Sequence, residues 1–173
     1  EKRRLLLAVG RLHPQKGFDV LIEAFSNLSD NFLEWDLAIL GEGRCRADLE
    51  NKRAEFGLKE RVFLPGKVGN VGDWYEQADV FVMTSHYEGF PNALLEAMSY
   101  GLPVLSVDCE TGPSEIIQNG IDGMLVPQGD NSSLVVAMTT MMQDEIMRGS
   151  YAVNATEVRK RFSGEHITAC WNQ

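Results

Sequence analysis

Two glutamates with seven residues between them frame the segment Glu88-Gly-Phe-Pro-Asn-Ala-Leu-Leu-Glu96. Pro91 is placed to open a helix as its first residue, where its missing N–H would be unpaired anyway. The N–H groups of Asn92, Ala93 and Leu94 would then point out of the positive end of that helix, where anions bind. Glu96 lies about one turn further in, away from any phosphate held there. An acceptor-only carboxylate beside a nucleotide suits hydroxyls such as those of a ribose. Taken alone, Glu96 is by default a solvated helix residue. Glu88, on the loop before the helix, can reach over the same cavity from another side.

Three further junctions carry groups of interest. Gly10-Arg-Leu-His-Pro-Gln-Lys-Gly17 has glycines at both ends, which let the backbone turn and approach a ligand. Its Arg11 and Lys16 would match a diphosphate, a forked donor beside a point charge. From this loop alone, a surface turn with incidental charges is the simpler reading. Leu40-Gly-Glu-Gly-Arg-Cys-Arg46 resembles the start of a dinucleotide fingerprint. The third glycine position, however, holds Arg46, so Gly41 and Gly43 are read as turn residues. In Asp108-Cys-Glu-Thr-Gly-Pro-Ser-Glu115, Gly112 and Pro113 mark a turn and a helix start. Glu115 there suits the helix dipole, and Thr111 and Gly112 are only weak site candidates.

The elements that must position these groups alternate along the chain. Apolar runs at 5–9, 37–40, 62–64, 80–84, 104–107 and 124–126 read as strands. Helical patterns lie between them at 18–28, 46–56, 71–77, 92–100 and 113–118, then at 132–144, 152–162 and 166–171. Strands apolar on both faces predict an α/β fold: a Rossmann-like, doubly wound parallel sheet with helices on both faces. Residues 1–173 form one domain, with 128–173 a helical tail. In such sheets ligands bind outside the carboxyl ends of the strands, where the four junctions fall.

Composition sets the outer limits. The chain of 173 residues is 44% hydrophobic and 24% charged, ordinary for a globular domain. No apolar run is long enough for a membrane span, and the N-terminus is too short in its apolar part for a signal peptide. It reads as a cut at a domain boundary. The net charge of −9 argues against nucleic acid as a partner. Charge is uneven: residues 1–16 hold Lys2, Arg3, Arg4, Arg11 and Lys16 against Glu1 alone. A small positive area in an acidic protein suits a compact anion, while solvated surface charge covers Lys2 to Arg4 well and is an equal reading of the whole cluster. Cys45, Cys109 and Cys170 are odd in number and far apart, which favours ordinary thiols in a reducing cytoplasm.

The ordered set of motifs resembles the C-terminal domain of GT-B-fold glycosyltransferases of family 4. It comprises Val9-Gly-Arg-Leu with Gln15-Lys-Gly, Leu40-Gly-Glu-Gly, Val62-Phe-Leu-Pro-Gly and Ala78-Asp-Val-Phe-Val-Met-Thr-Ser. The paired-glutamate segment, Gly101-Leu-Pro-Val, Gly112-Pro-Ser-Glu-Ile-Ile and Asn119-Gly-Ile-Asp-Gly follow. Each piece is weak, and the ordered set is specific from Leu5 to about Pro127. The resemblance implies that Arg11 and Lys16 hold the donor diphosphate, Glu88 lies near the transferred sugar and Glu96 bonds the ribose. It assigns Gly10 and the stretch Gly89, Phe90, Asn92, Ala93 and Leu94 to sugar and phosphate, and Gly66 to Val68 to the base. It implies sugar transfer with retained configuration from a nucleotide-diphosphate sugar, without a separate cofactor. The absence of Asp-x-Asp fits a metal-independent site.

The same resemblance implies a missing N-terminal domain that holds most of the acceptor site, with the tail through Phe162 and Trp171 crossing towards it. An exposed apolar face on the tail is therefore expected. The acceptor would be a glycan or a lipid-linked glycan of bacterial surface polysaccharide synthesis, and the donor a UDP-hexose or UDP-N-acetylhexosamine. GDP-mannose stays open. The full-length enzyme would be cytoplasmic, peripheral at the inner face of the membrane, and the isolated chain inactive. Alternatives are a GT-B epimerase or phosphorylase, a NAD-binding Rossmann domain, and a non-catalytic nucleotide-sugar sensor.

Overall fold

Six strands pair side by side, all parallel, in the order β3-β2-β1-β4-β5-β6. They are β1 Arg4–Val9, β2 Trp35–Leu40, β3 Val62–Gly66, β4 Val80–Met83, β5 Val104–Asp108 and β6 Gly123–Pro127. Helices α1 Phe18–Ser26, α2 Arg46–Glu55, α3 Val71–Gln77, α4 Asn92–Ser99 and α5 Pro113–Ile116 fill the crossovers. After β6 come α6 Asn131–Gln143, α7 Glu145–Ala155 and α8 Val158–Arg161. The structure, a computed structural model, describes residues 3–163. The predicted helix at 166–171, with Cys170 and Trp171, lies outside the described residues, as do Glu1 and Lys2.

Strand alternation builds the two layers. Leu6 and Ala8 of β1 join Val80 and Val82 of β4 and Leu105 of β5 under α1, α2 and α6. Leu7, Phe81, Met83 and Val104 point the other way, under Tyr75 of α3 and Leu94, Ala97 and Met98 of α4. Period-two alternation in strands buried on both faces sends neighbours to opposite cores. Each large side chain fully buried in this way contributes about 1.5–3 kcal/mol.

β1 lies between β2 and β4, so successive crossovers leave in opposite directions and open a crevice at their carboxyl ends. The loops after β1 and β4 form its walls.

The tail departs from the predicted pattern. In place of one helix at 152–162, α7 starts at Glu145 and a break at 156–157 precedes α8. Asp144 sets that start, its side chain accepting from the Met147 N–H at 2.8 Å. Arg148 inside α7 is buried, donating to the carbonyls of Met141 and Met142 at 2.6 and 3.0 Å. Apolar exposure is present on the described tail: Val136, Ile146 and Val153 are each largely exposed.

Candidate functional site

The loop after β1 is bound tightly to the loop after β4. Between Gly10 and Gly17 a single 3-10 turn covers Pro14–Lys16, started by His13, whose Nδ1 accepts from the Gln15 N–H. Gly17 ends it at φ +60, and a Cβ there would sit 2.3 Å from the carbonyl oxygen of Thr84. The Thr84 hydroxyl meets the carbonyls of Lys16 and Gly17 at 3.0 Å each. The His86 N–H donates to the Gln15 carbonyl at 2.8 Å, and Gln15 Nε2 to the Tyr87 carbonyl at 2.9 Å.

This contact directs Lys16 to Glu88. The Lys16 chain crosses Gly10, its Cε 3.1 Å from where a Cβ would project, so a larger residue there would press on it. Lys16 Nζ then reaches Glu88 Oε1 at 2.6 Å, and Ser85 Oγ donates to the same oxygen at 2.6 Å. The Glu88 side chain is 6% exposed and that of Lys16 is 20% exposed. A buried carboxylate needs such partners to stay ionised without large cost. The Thr111 hydroxyl bonds the Glu88 carbonyl. Gly112, at φ +99, lets the start of α5 close on Pro91, whose Cδ would be 2.6 Å from an added Cβ.

The start of α4 differs from the sequence reading in one respect. Pro91 is the N-cap, at ψ 77, and Asn92 is the first helical residue. Consequently the Leu94 N–H is spent on the Pro91 carbonyl at 3.0 Å, and the Asn92 N–H on the Phe90 carbonyl at 2.9 Å. Among the described residues, the N–H groups of Gly89, Phe90 and Ala93 make no hydrogen bond. The orphan donors thus lie half a turn earlier than expected, at the helix start and on the loop before it. The Leu94 side chain is fully buried in the core.

Arg11 is exposed and has no ion pair among the described residues. With Val9, Gly10, Glu42, Lys67, Val68 and Val71 it lines a cavity of about 190 Å³, which joins Arg11 and Gly10 to Val68 but is not lined by Lys16 or by residues 89–94. Glu96, exposed on α4, accepts from the Tyr75 hydroxyl at 3.2 Å. Gly41 and Gly43 serve chain-to-chain contact: a Cβ on either would fall 1.9 Å from the Gly10 carbonyl oxygen and 2.3 Å from that of Leu12, respectively. Arg46 is engaged with Glu42 and Glu50 at 2.6 and 2.9 Å, and the Glu42 carboxyl is held below its usual range by that bond first of all. A dinucleotide fingerprint has no such residue there.

Sequence reasoning missed Ser85, Thr84 and Tyr75. The first two had one usable signal, small hydroxyls at the end of an apolar strand; Tyr75 had none beyond an aromatic in a helix. A separate cavity of about 520 Å³ lies behind the 13–15 turn, lined by Phe18, Asp19, Arg44, Asp48, Leu49 and Tyr87 among others, and by none of the expected site residues. Arg44 and Lys52 in its lining are matched by Asp19 and Asp48, so their charges balance.

A six-stranded parallel sheet in this strand order with helices on both faces is one half of a GT-B fold. The family described as Glycosyl transferases group 1 matches residues 1–158, and the chain belongs to it. Over 171 residues it is 33% identical to the amylovoran biosynthesis glycosyltransferase AmsD of Erwinia amylovora, covering 99% of this chain and 48% of that protein. The chain therefore spans about half the length of that relative. Among solved structures, TarM of S. aureus, in complex with fondaparinux, alpha-GlcNAc-glycerol and UDP, superposes with a TM-score of 0.93 at 24% identity. That match covers 99% of this chain and 35% of TarM. The C-terminal domain of LpcC, a glycosyl transferase group 1 family protein from Francisella tularensis, gives 0.83 at 25% identity, covering 92% and 85%. No helix among the described residues is long and apolar enough to cross a membrane.

Proposed function

We propose that the chain is the donor-binding half of a family 4 enzyme that transfers a sugar, with retained configuration, from a UDP-hexose or UDP-N-acetylhexosamine. The acceptor is a glycan or lipid-linked glycan of bacterial surface polysaccharide synthesis, held mainly by a second domain of the same protein. The observation that carries this reading is the Lys16–Glu88 pair packed across Gly10, beside the unbonded N–H groups of Gly89, Phe90 and Ala93.

An ammonium has three donors, and Glu88 takes one from Lys16. The others face a diphosphate, whose charge grows as the glycosidic bond breaks; Arg11 and the N–H groups add preorganised positive potential. No metal is needed in this scheme. Glu88 positions the sugar and balances charge. This scheme requires no nucleophilic role of it: Oε1 accepts from Lys16 and Ser85 and holds the carboxylate in place. Gly10 admits the pyrophosphate, Val68 borders the base, and Glu96 takes the ribose hydroxyls. The full-length enzyme acts in the cytoplasm at the inner face of the membrane, and the chain alone transfers nothing.

Calorimetric titration tests this directly. UDP is expected to bind the chain weakly and to outcompete GDP and ADP. Arg11→Ala, at an exposed position, should leave the fold intact and cost about tenfold or more in UDP affinity, since a charge-assisted bond to phosphate contributes about 1.5–3 kcal/mol. Unchanged affinity in Arg11→Ala would remove the diphosphate assignment.

A further inference from the structure

Glu96 points from an exposed helix face, where a glutamate ordinarily samples many rotamers and binds poorly for that reason. Here it is not free. Tyr75 of α3 is 2% exposed, and its hydroxyl lies 3.2 Å from Glu96 Oε2 and 3.4 Å from the Ala93 carbonyl. With one proton to give, the phenol donates chiefly to the nearer, charged oxygen. Its ring is fixed between Phe81 and Tyr100, at centroid distances of 6.2 and 5.4 Å. Gly72 completes the clamp: a Cβ there would meet the Tyr100 hydroxyl at 2.7 Å, so glycine lets Tyr100 close over Tyr75. Burial, then the Glu96 charge, push the Tyr75 phenol up from its usual value, so it remains a donor throughout the working pH range.

We infer that Tyr75 is a positioning residue that holds Glu96 with one carboxylate oxygen presented to the vicinal hydroxyls of a ribonucleotide, and so sets preference for ribose over 2′-deoxyribose. With Oε2 engaged by Tyr75, the orientations open to the carboxylate are narrowed and Oε1 is left to accept from the ligand. A 2′-deoxynucleotide lacks one of the two donors, keeps only the 3′-hydroxyl, and gains correspondingly less from the anchoring. The inference rests on the proposed role of Glu96 at the ribose, and goes beyond it by naming the group that makes that role effective.

The test is calorimetric titration of the chain with UDP and with 2′-deoxy-UDP, in the wild type, Tyr75→Phe, Glu96→Ala and the double variant. Wild type is expected to prefer UDP. Tyr75→Phe should weaken UDP by about fivefold, the worth of one hydrogen bond, and weaken 2′-deoxy-UDP clearly less. In the Glu96→Ala background the same substitution should have no further effect on UDP, because the coupling runs through Glu96. Equal weakening of both nucleotides, or a full further loss in the Glu96→Ala background, overturns the positioning role while leaving the nucleotide site standing. A wild-type chain that binds neither nucleotide, or both equally, overturns the ribose reading of Glu96 and this inference together.

Discussion

Replacing Lys16 with alanine is expected to lower the melting temperature by about 6–12 °C and to abolish measurable UDP binding. The Glu88 carboxylate is almost wholly buried, and Lys16 is its only ion-pair partner among the described residues. Removing one member of a buried pair leaves an uncompensated charge, at a cost of about 3 kcal/mol or more. In a chain of this size each kcal/mol shifts the melting temperature by about 2–4 °C. The partner experiment separates stability from function. Lys16→Ala with Glu88→Gln should recover most of the lost stability, because the buried charge is gone and Ser85 can still donate to the amide oxygen. It should not recover binding, because the cation that faces the diphosphate is still missing. Thermal melts and titrations of the three proteins decide the matter; a stable, UDP-binding Lys16→Ala would show that the pair is incidental.

Gly17→Ala is expected to be as damaging, for a backbone reason. Gly17 and Gly57 both lie at positive φ, +60 and +68, so the intrinsic cost of alanine is about 1 kcal/mol at each. Around Gly57 nothing lies within 4 Å of an added Cβ, whereas at Gly17 it would meet the Thr84 carbonyl oxygen at 2.3 Å. Overpacking adds about 1–3 kcal/mol, and relief requires the 14–17 turn to leave the end of β4. Thr84 would then lose its bonds to Lys16 and Gly17, and Lys16 its route to Glu88. Gly17→Ala should therefore lose about 3 kcal/mol and most nucleotide affinity, and Gly57→Ala about 1 kcal/mol and none. Equal effects in melts and titrations would contradict the tight joining of the two loops.

The contrast between legible and hidden features follows from range. The strands were visible because runs such as Leu5 to Val9 and Val80 to Met83 are apolar at every position, which only a sheet covered on both faces requires. Gly10, Arg11 and Gly89 on loops, and Glu96 on α4, stand out as candidates because each lies in a local motif. The Lys16–Glu88 pair was not, since its members are 72 residues apart and nothing local couples them. Pro91 misled by one position: a proline suits both the N-cap and the first helical residue, and the turn closed by Asn92 and Phe90 decided which. The start of α7 was missed because Gly149 and a buried Arg148 break the apolar period that marks a helix. Tyr75 was invisible as a site residue because its partner, Glu96, sits 21 residues on, across a strand.

The central claim is that the donor nucleotide lies at the carboxyl ends of β1 and β4, against the start of α4. Amide chemical-shift mapping during titration of the 15N-labelled chain with UDP tests it most directly. The largest changes are expected at Gly10, Arg11, Val68, Gly89, Phe90 and Ala93, with Asp48, Leu49 and Lys52 undisturbed. Changes centred on those last three residues would place the nucleotide in the cavity behind the 13–15 turn and contradict it.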